Sequence, residues 1–117
     1  MLLAGWLWFH IQRAKGIIDF PKTDITRAYI IDGNNGNTME LKGSALDLIY
    51  NGVKNVSVKS VKDEETSGWS YTVYFERGNQ TTSIEMISPK IWKVSGKRYE
   101  VSGSDGEEIM RDISKMQ

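Results

Sequence analysis

Short runs of alternating apolar and polar residues, separated by tight-turn residues, constrain the fold of this chain more than any other feature. The clearest run is residues 69–76, where large apolar side chains fall at every second position. Those side chains, expected to face a core, are Trp69, Tyr71, Val73 and Phe75. A turn at residues 77–80 leads into residues 82–87, and a last hairpin is predicted over residues 91–101. Strands joined by such short turns cannot be parallel, so the sequence predicts an antiparallel sheet.

The rest of the body adds two helices and a hairpin. The turn-forming residues 32–37 are expected to join a strand over residues 25–31 to a short strand after them. One helix is predicted over residues 42–51, with Ser44 as its N-cap and Gly52 as its stop, and Ser104 opens a terminal helix. The predicted fold is α+β: an antiparallel β meander of about five to six strands, with two helices packed on one face. A single domain over residues 24–117 is expected.

The N-terminal segment is different in character from this body. From Leu2 to Ile11 nearly every residue is apolar, and the basic residues Arg13 and Lys15 follow. Ten helical residues rise only about 15 Å, half of a roughly 30 Å hydrocarbon core, so this run cannot span a bilayer by itself. We expect an apolar N-terminal helix over residues 1–15, a candidate truncated membrane anchor, and a linker over residues 16–23.

Two interpretations of this helix stay open. If Met1 is an internal start, the run is the C-terminal half of a longer anchor, with aromatic residues at the membrane interface and cations reaching into the headgroups. Otherwise it docks on the domain or is buried in a homodimer contact. Tryptophans beside a cation pair are typical of an interface, which favours the anchor. The residues expected to contact a membrane or a partner are Trp6, Trp8, Phe9, Arg13 and Lys15.

Composition and spacing argue against several kinds of chemistry. Fifteen Lys plus Arg balance fifteen Asp plus Glu, so no basic field attracts a nucleic acid. The absence of cysteine excludes disulfides, a thiolate nucleophile and lipidation at a lipobox cysteine. The single histidine, His10, lies in the apolar run, and the adjacent carboxylates of residues 63–65 are typical of a solvated loop. We therefore expect no enzyme and no cofactor.

The turn over residues 32–37 resembles the start of a calcium loop, with oxygen ligands at its first and third positions. An EF-hand needs glycine at the sixth position and a bidentate glutamate at the twelfth. Asn37 and Gly43 stand there instead. A plain hairpin turn is therefore expected, and no metal site.

Two motifs suggest a family resemblance: SGWSY at residues 67–71 and GKRY at residues 96–99. With the surrounding order of strands and helices, residues 24–116 resemble small extracytoplasmic domains of Gram-positive bacteria, which occur as lipoproteins or behind a single membrane helix. The resemblance implies an α+β fold at the cell membrane, on its extracytoplasmic side, and implies no particular activity. Lacking cysteine, the chain would use a helix anchor; the positive-inside rule applied to Arg13 and Lys15 alone would instead place the domain in the cytoplasm.

Two aromatic residues are candidates for a binding face, because Tyr74 and Trp92 fall out of phase with their core-facing neighbours. Helices on the second face would hide them equally well. The sequence predicts a non-catalytic, membrane-tethered extracytoplasmic domain that binds or senses an unknown protein or peptide through a sheet face or edge strand. The alternative is a soluble structural or assembly protein that homodimerises through its N-terminal helix.

Overall fold

A computed structural model describes residues 17–62 and 70–116. Its helices are α1 (Gly43–Asn55) and α2 (Gly103–Met116), and a single 3₁₀ turn covers Lys22–Asp24. The strands are β1 (Arg27–Asp32), β2 (Thr38–Glu40), β3 (Val58–Ser60), β4 (Tyr71–Arg77), β5 (Gln80–Met86), β6 (Ile91–Val94) and β7 (Lys97–Val101).

All the described strands form one sheet in the order β2-β1-β4-β5-β6-β7-β3, and every neighbouring pair is antiparallel. The predicted α+β class with an antiparallel sheet is confirmed. The sheet has seven strands instead of five to six, and only β4 to β7 form a continuous meander. Between β2 at one edge and β3 at the other, the chain passes through α1, whose 13 residues extend about 20 Å.

The core lies between one face of the sheet and the two helices. Val73 and Phe75 of β4 are fully buried, and the Phe75 ring lies 6.2 Å from the Tyr50 ring of α1, edge to face. Ile84 and Met86 of β5 join the same cluster. The predicted inward positions of these four sheet residues are confirmed, whereas Trp69 lies outside the described residues. Each such buried side chain stabilises the fold by about 1.5–3 kcal/mol.

The predicted linker over residues 16–23 contributes two side chains to this core. Ile18 and Phe20 are buried, and the Tyr50 hydroxyl donates a hydrogen bond of 2.5 Å to the Phe20 carbonyl oxygen. The Arg77 guanidinium lies 4.1 Å above the Phe20 ring. The chain from residue 17 onward is therefore fastened to the domain.

The first helix, α1, extends further than the predicted residues 42–51, whereas α2 begins within one residue of the predicted start at Ser104. α1 begins at Gly43 after an N-cap at Lys42 that makes no side-chain cap bond, so the predicted cap at Ser44 is wrong. Gly52 lies inside α1 and does not end it. Packing explains why a glycine stands at this position. A Cβ at Gly52 would lie 3.1 Å from Ile109 of α2, so the absence of a side chain eases the close approach of the two helices.

The predicted N-terminal helix, residues 1–15, lies outside the described residues. Among the helices of residues 17–62 and 70–116, none is long and apolar enough to cross a membrane.

Candidate binding site

The side chains of the sheet that point away from α1 and α2 form what we call the open face. Successive residues of a strand point to opposite sides, and Ala28 and Ile30 of β1 are buried against the helices. The residues that alternate with Ala28 and Ile30 along β1 therefore belong to the open face. The strand register aligns two cross-strand rows on it: Glu40, Tyr29, Tyr74 and Ser83 in the first, and Thr38, Ile31, Thr72, Glu85, Lys93 and Arg98 in the second.

A stack of three planar groups is the main feature of this face. Tyr29 of β1 and Tyr74 of β4 are direct cross-strand partners, and their rings lie 4.9 Å apart at an angle of 17°. The Arg27 guanidinium lies 4.3 Å from the centre of the Tyr29 ring. Arg27, Tyr29 and Tyr74 thus form a stacked group that we call the aromatic column, held by cation–π attraction and ring stacking.

Two carboxylates fix the charged end of the column. Arg27 Nη2 donates to Glu40 Oε1 at 2.5 Å, and its Nη1 lies 3.7 Å from Glu76 Oε2. The hydrogen bond from Arg27 lowers the pKa of Glu40 below its usual range, so this carboxylate is ionised at neutral pH. Burial, and then the negative charge of Glu76, raise the pKa of Tyr29, which keeps its phenol protonated. The guanidinium is therefore held in one orientation over the ring.

The column ends at a step toward β5. The residue opposite Tyr74 on β5 is Ser83, whose side chain is too short to cover an aromatic ring. Next to this step, Thr72 is almost fully buried and Ile31 is half-buried. A planar group of a ligand could extend the stack at this step, against the face of Tyr74 that is turned toward β5.

The structure separates the two aromatic residues that the sequence singled out. Tyr74 lies half-exposed on the open face, whereas Trp92 is fully buried on the face that the helices cover. The expectation of Trp92 on a binding face is therefore wrong. The register explains this, because Trp92 pairs with the core residue Met86 on β5. The remaining predicted contacts, Trp6, Trp8, Phe9, Arg13 and Lys15, lie outside the described residues.

The sequence pattern did not reveal Tyr29 and Arg27 as partners of Tyr74. Their alternation on one side of a strand was visible, but the pairing of β1 with β4 joins Tyr29 to Tyr74, 45 positions away in the sequence. The column holds two phenols, a guanidinium and two adjoining carboxylates, a set that can stack on a ligand and pair with its charges. Within the described part of the chain, no three acidic, histidine or cysteine residues lie close enough to hold a metal ion.

Fold and site together define an α+β domain with a seven-stranded antiparallel sheet, two helices on one face and an aromatic column on the other. No family model matches the chain, and comparison with curated proteins and with solved structures finds no match. The resemblance to extracytoplasmic domains therefore stays a prediction.

Proposed function

We propose that this protein is a non-catalytic binding domain, tethered to the extracytoplasmic side of a cell membrane by its N-terminal segment, whose open face binds a protein or peptide. The observation that supports it most is the aromatic column on the face that neither α1 nor α2 covers. Tyrosine and arginine are among the residues enriched where proteins bind each other. A stacked cross-strand pair also stabilises a sheet by about 0.2–1 kcal/mol, so stability has to be measured together with binding.

The two edges of the sheet are poorly suited to binding a peptide, which favours the open face as the binding surface. The edge strands β2 and β3 have three residues each. A peptide added to either edge would find few backbone groups to pair with, and Lys59 in β3 is typical of an edge protected against pairing. The open face, by contrast, offers the rings of Tyr29 and Tyr74 and charged groups of both signs.

The packing of residues 17–20 sets how far the domain would lie from such a tether. Ile18 and Phe20 are buried in the core, so an anchor within residues 1–15 would be only a few residues from the folded domain. Each extended residue reaches at most about 3.6 Å. Such a tether would hold the domain close to the membrane surface, where a binding partner in the same membrane is within reach.

Photocrosslinking tests the binding face. A photoreactive phenylalanine analogue replaces Thr81, exposed beside the column, or Ser114, exposed on α2, in the full chain expressed in a Gram-positive bacterium. We expect a discrete crosslinked polypeptide from position 81 and none from position 114. Tyr74→Ala should remove this product while the variant keeps its cooperative urea unfolding. The binding face is refuted if both positions give the same products, or if folded Tyr74→Ala leaves the product unchanged.

Cell fractionation tests the tether. The full chain should sediment with membranes and be digested by protease added to wall-free cells, because the domain would lie outside. Replacing Trp6 and Trp8 with serine should release it into the soluble fraction, whereas the matched pair Ser102→Ala and Ser114→Ala should not. A soluble wild-type protein that becomes monomeric only in the tryptophan variant would refute the tether and support homodimerisation through the N-terminal segment.

A further inference from the structure

A groove of about 340 Å³ runs between α1 and α2, on the side of the molecule away from the open face. Its floor is formed by Gly52 of α1, by Val56 directly after α1 and by Ile109 of α2. Leu48, one helical turn before Gly52, stands at its wall and is 49% exposed, which is unusual among the large apolar side chains of residues 17–62 and 70–116. An apolar side chain is thus left in water beside an apolar floor.

The rim of the groove on α2 is acidic. Asp105, Glu108 and Asp112 line it at spacings of three and four residues, which places them on one side of the helix. Among residues 17–62 and 70–116, no lysine or arginine lines the groove. The ion pairs among the described residues join Lys22 to Asp47 and Arg27 to two glutamates, so the three rim carboxylates have no cationic partner there. A chain of zero net charge therefore carries a local field of one sign at this groove.

We infer that the groove binds a basic amphipathic helix of a partner protein. Two helices form its walls, and an amphipathic helix laid along such walls places apolar side chains at positions i, i+3, i+4 and i+7 in the groove. Those side chains would contact Leu48 and Ile109, and lysine or arginine residues flanking them would face the three rim carboxylates. Charge complementarity decides the partner's chemistry, since an acidic helix would be repelled by the same rim. The site lies apart from the aromatic column and does not depend on the proposed function.

A designed peptide tests this inference on the full chain. The probe is a fluorescein-labelled 14-residue peptide of leucine and lysine, with leucine at the amphipathic spacing, titrated by fluorescence anisotropy. One control peptide has the same composition in scrambled order, and a second has glutamate in place of lysine. We expect binding of the probe, at least tenfold weaker binding of the scrambled peptide and none of the acidic one. Shifts in the amide NMR spectrum should be concentrated at α1 and α2.

Two charge-matched double variants separate the groove from general charge attraction. Glu108→Gln with Asp112→Asn removes two rim charges, whereas Glu107→Gln with Asp19→Asn removes two exposed charges outside the groove. The first should weaken binding at least fivefold and the second less than twofold. Leu48→Asn, at an exposed position, should weaken binding without loss of folding. Equal effects of the two doubles, absence of probe binding, or NMR shifts centred on the open face would overturn the inference. Tyr74→Ala should leave probe binding unchanged, so this result is distinguishable from failure of the proposed function.

Discussion

Replacing Gly106 with alanine puts a methyl group into space that the Ser88–Pro89 turn already occupies. An ideal Cβ at Gly106 lies 1.8 Å from the Pro89 carbonyl oxygen and 2.8 Å from its carbonyl carbon, where ordinary contact begins near 3.4 Å. The obstacle is backbone and cannot rotate away as a flexible side chain can. Either α2 or the turn must therefore move by more than an ångström, and α2 carries the buried Ile109 and Ile113.

The expected loss of stability combines two opposing effects. Overpacking a close contact costs about 1–3 kcal/mol, and more where backbone must move, so we take about 3 kcal/mol or above. Alanine gains about 1 kcal/mol over glycine inside a helix. Gly106→Ala should thus lower the free energy of unfolding by at least about 2 kcal/mol, which lowers the Tm by about 8–16 °C for a domain of this size.

Gly52→Ala is the matched control, because the nearest atom to its Cβ is Ile109 Cγ1 at 3.1 Å, in a side chain that can adjust. Its free energy of unfolding should stay within about 1 kcal/mol of wild type. Urea unfolding followed by tryptophan fluorescence measures both variants, with unchanged m-values as the test of two-state behaviour. If Gly106→Ala unfolds at the same urea concentration as Gly52→Ala, then α2 does not pack against the Pro89 carbonyl as described.

Three further substitutions test other contacts. Tyr50→Phe leaves the buried Phe20 carbonyl oxygen without its donor and should cost about 1–3 kcal/mol in urea unfolding; a cost near zero would contradict that hydrogen bond. Because the pKa of Tyr29 is raised in the fold, its contribution is present below the ordinary value of 10.0 and lost as pH rises through the folded-state pKa. Tyr29→Phe should therefore flatten the fall in Tm as the pH rises above 10.0, and Glu76→Gln should lower the pKa of Tyr29 in an absorbance titration; unchanged curves would argue against this coupling. Trp92 Nε1 is buried without an acceptor among the described residues, so Trp92→Phe should cost less than about 2 kcal/mol, against about 3–5 kcal/mol for Trp92→Ala; equal losses would contradict it.

The local pattern of the sequence was enough to predict the fold class and the central hairpins. A period of two residues directly reports which side of a strand is buried, so Val73, Phe75, Ile84 and Met86 were placed correctly. The order of the strands was not predictable in this way. The position of β3 beside β7 and of β1 beside β4 depends on pairings between distant residues, which leave no local periodic signal.

Gly52 also shows that a local sequence pattern cannot reveal contacts between distant elements. A glycine after an apolar helical stripe is a good stop signal, yet Gly52 lies inside α1. Its role becomes visible only when Ile109 of α2 is placed against it. The prediction for Trp92 failed because of strand register: a shift of one residue moves a side chain to the other face of a sheet. The role of Gly52 is thus set by a helix remote in sequence, and that of Trp92 by the register of the neighbouring strand β5.

The open face and the groove between α1 and α2 differ in charge, although the net charge of the chain is zero. The described strands place equal numbers of cations and anions on the open face: Arg27, Lys59, Lys93 and Arg98, with Glu40, Glu76, Glu85 and Glu100. In the part of the chain that the structure describes, the groove lining between α1 and α2 carries only negative charge. Salt screens a single-sign field strongly, whereas stacking on Tyr74 depends little on ionic strength. Binding at the groove should therefore weaken as salt rises, and binding at the aromatic column should persist, so that ionic strength alone distinguishes which surface a partner uses.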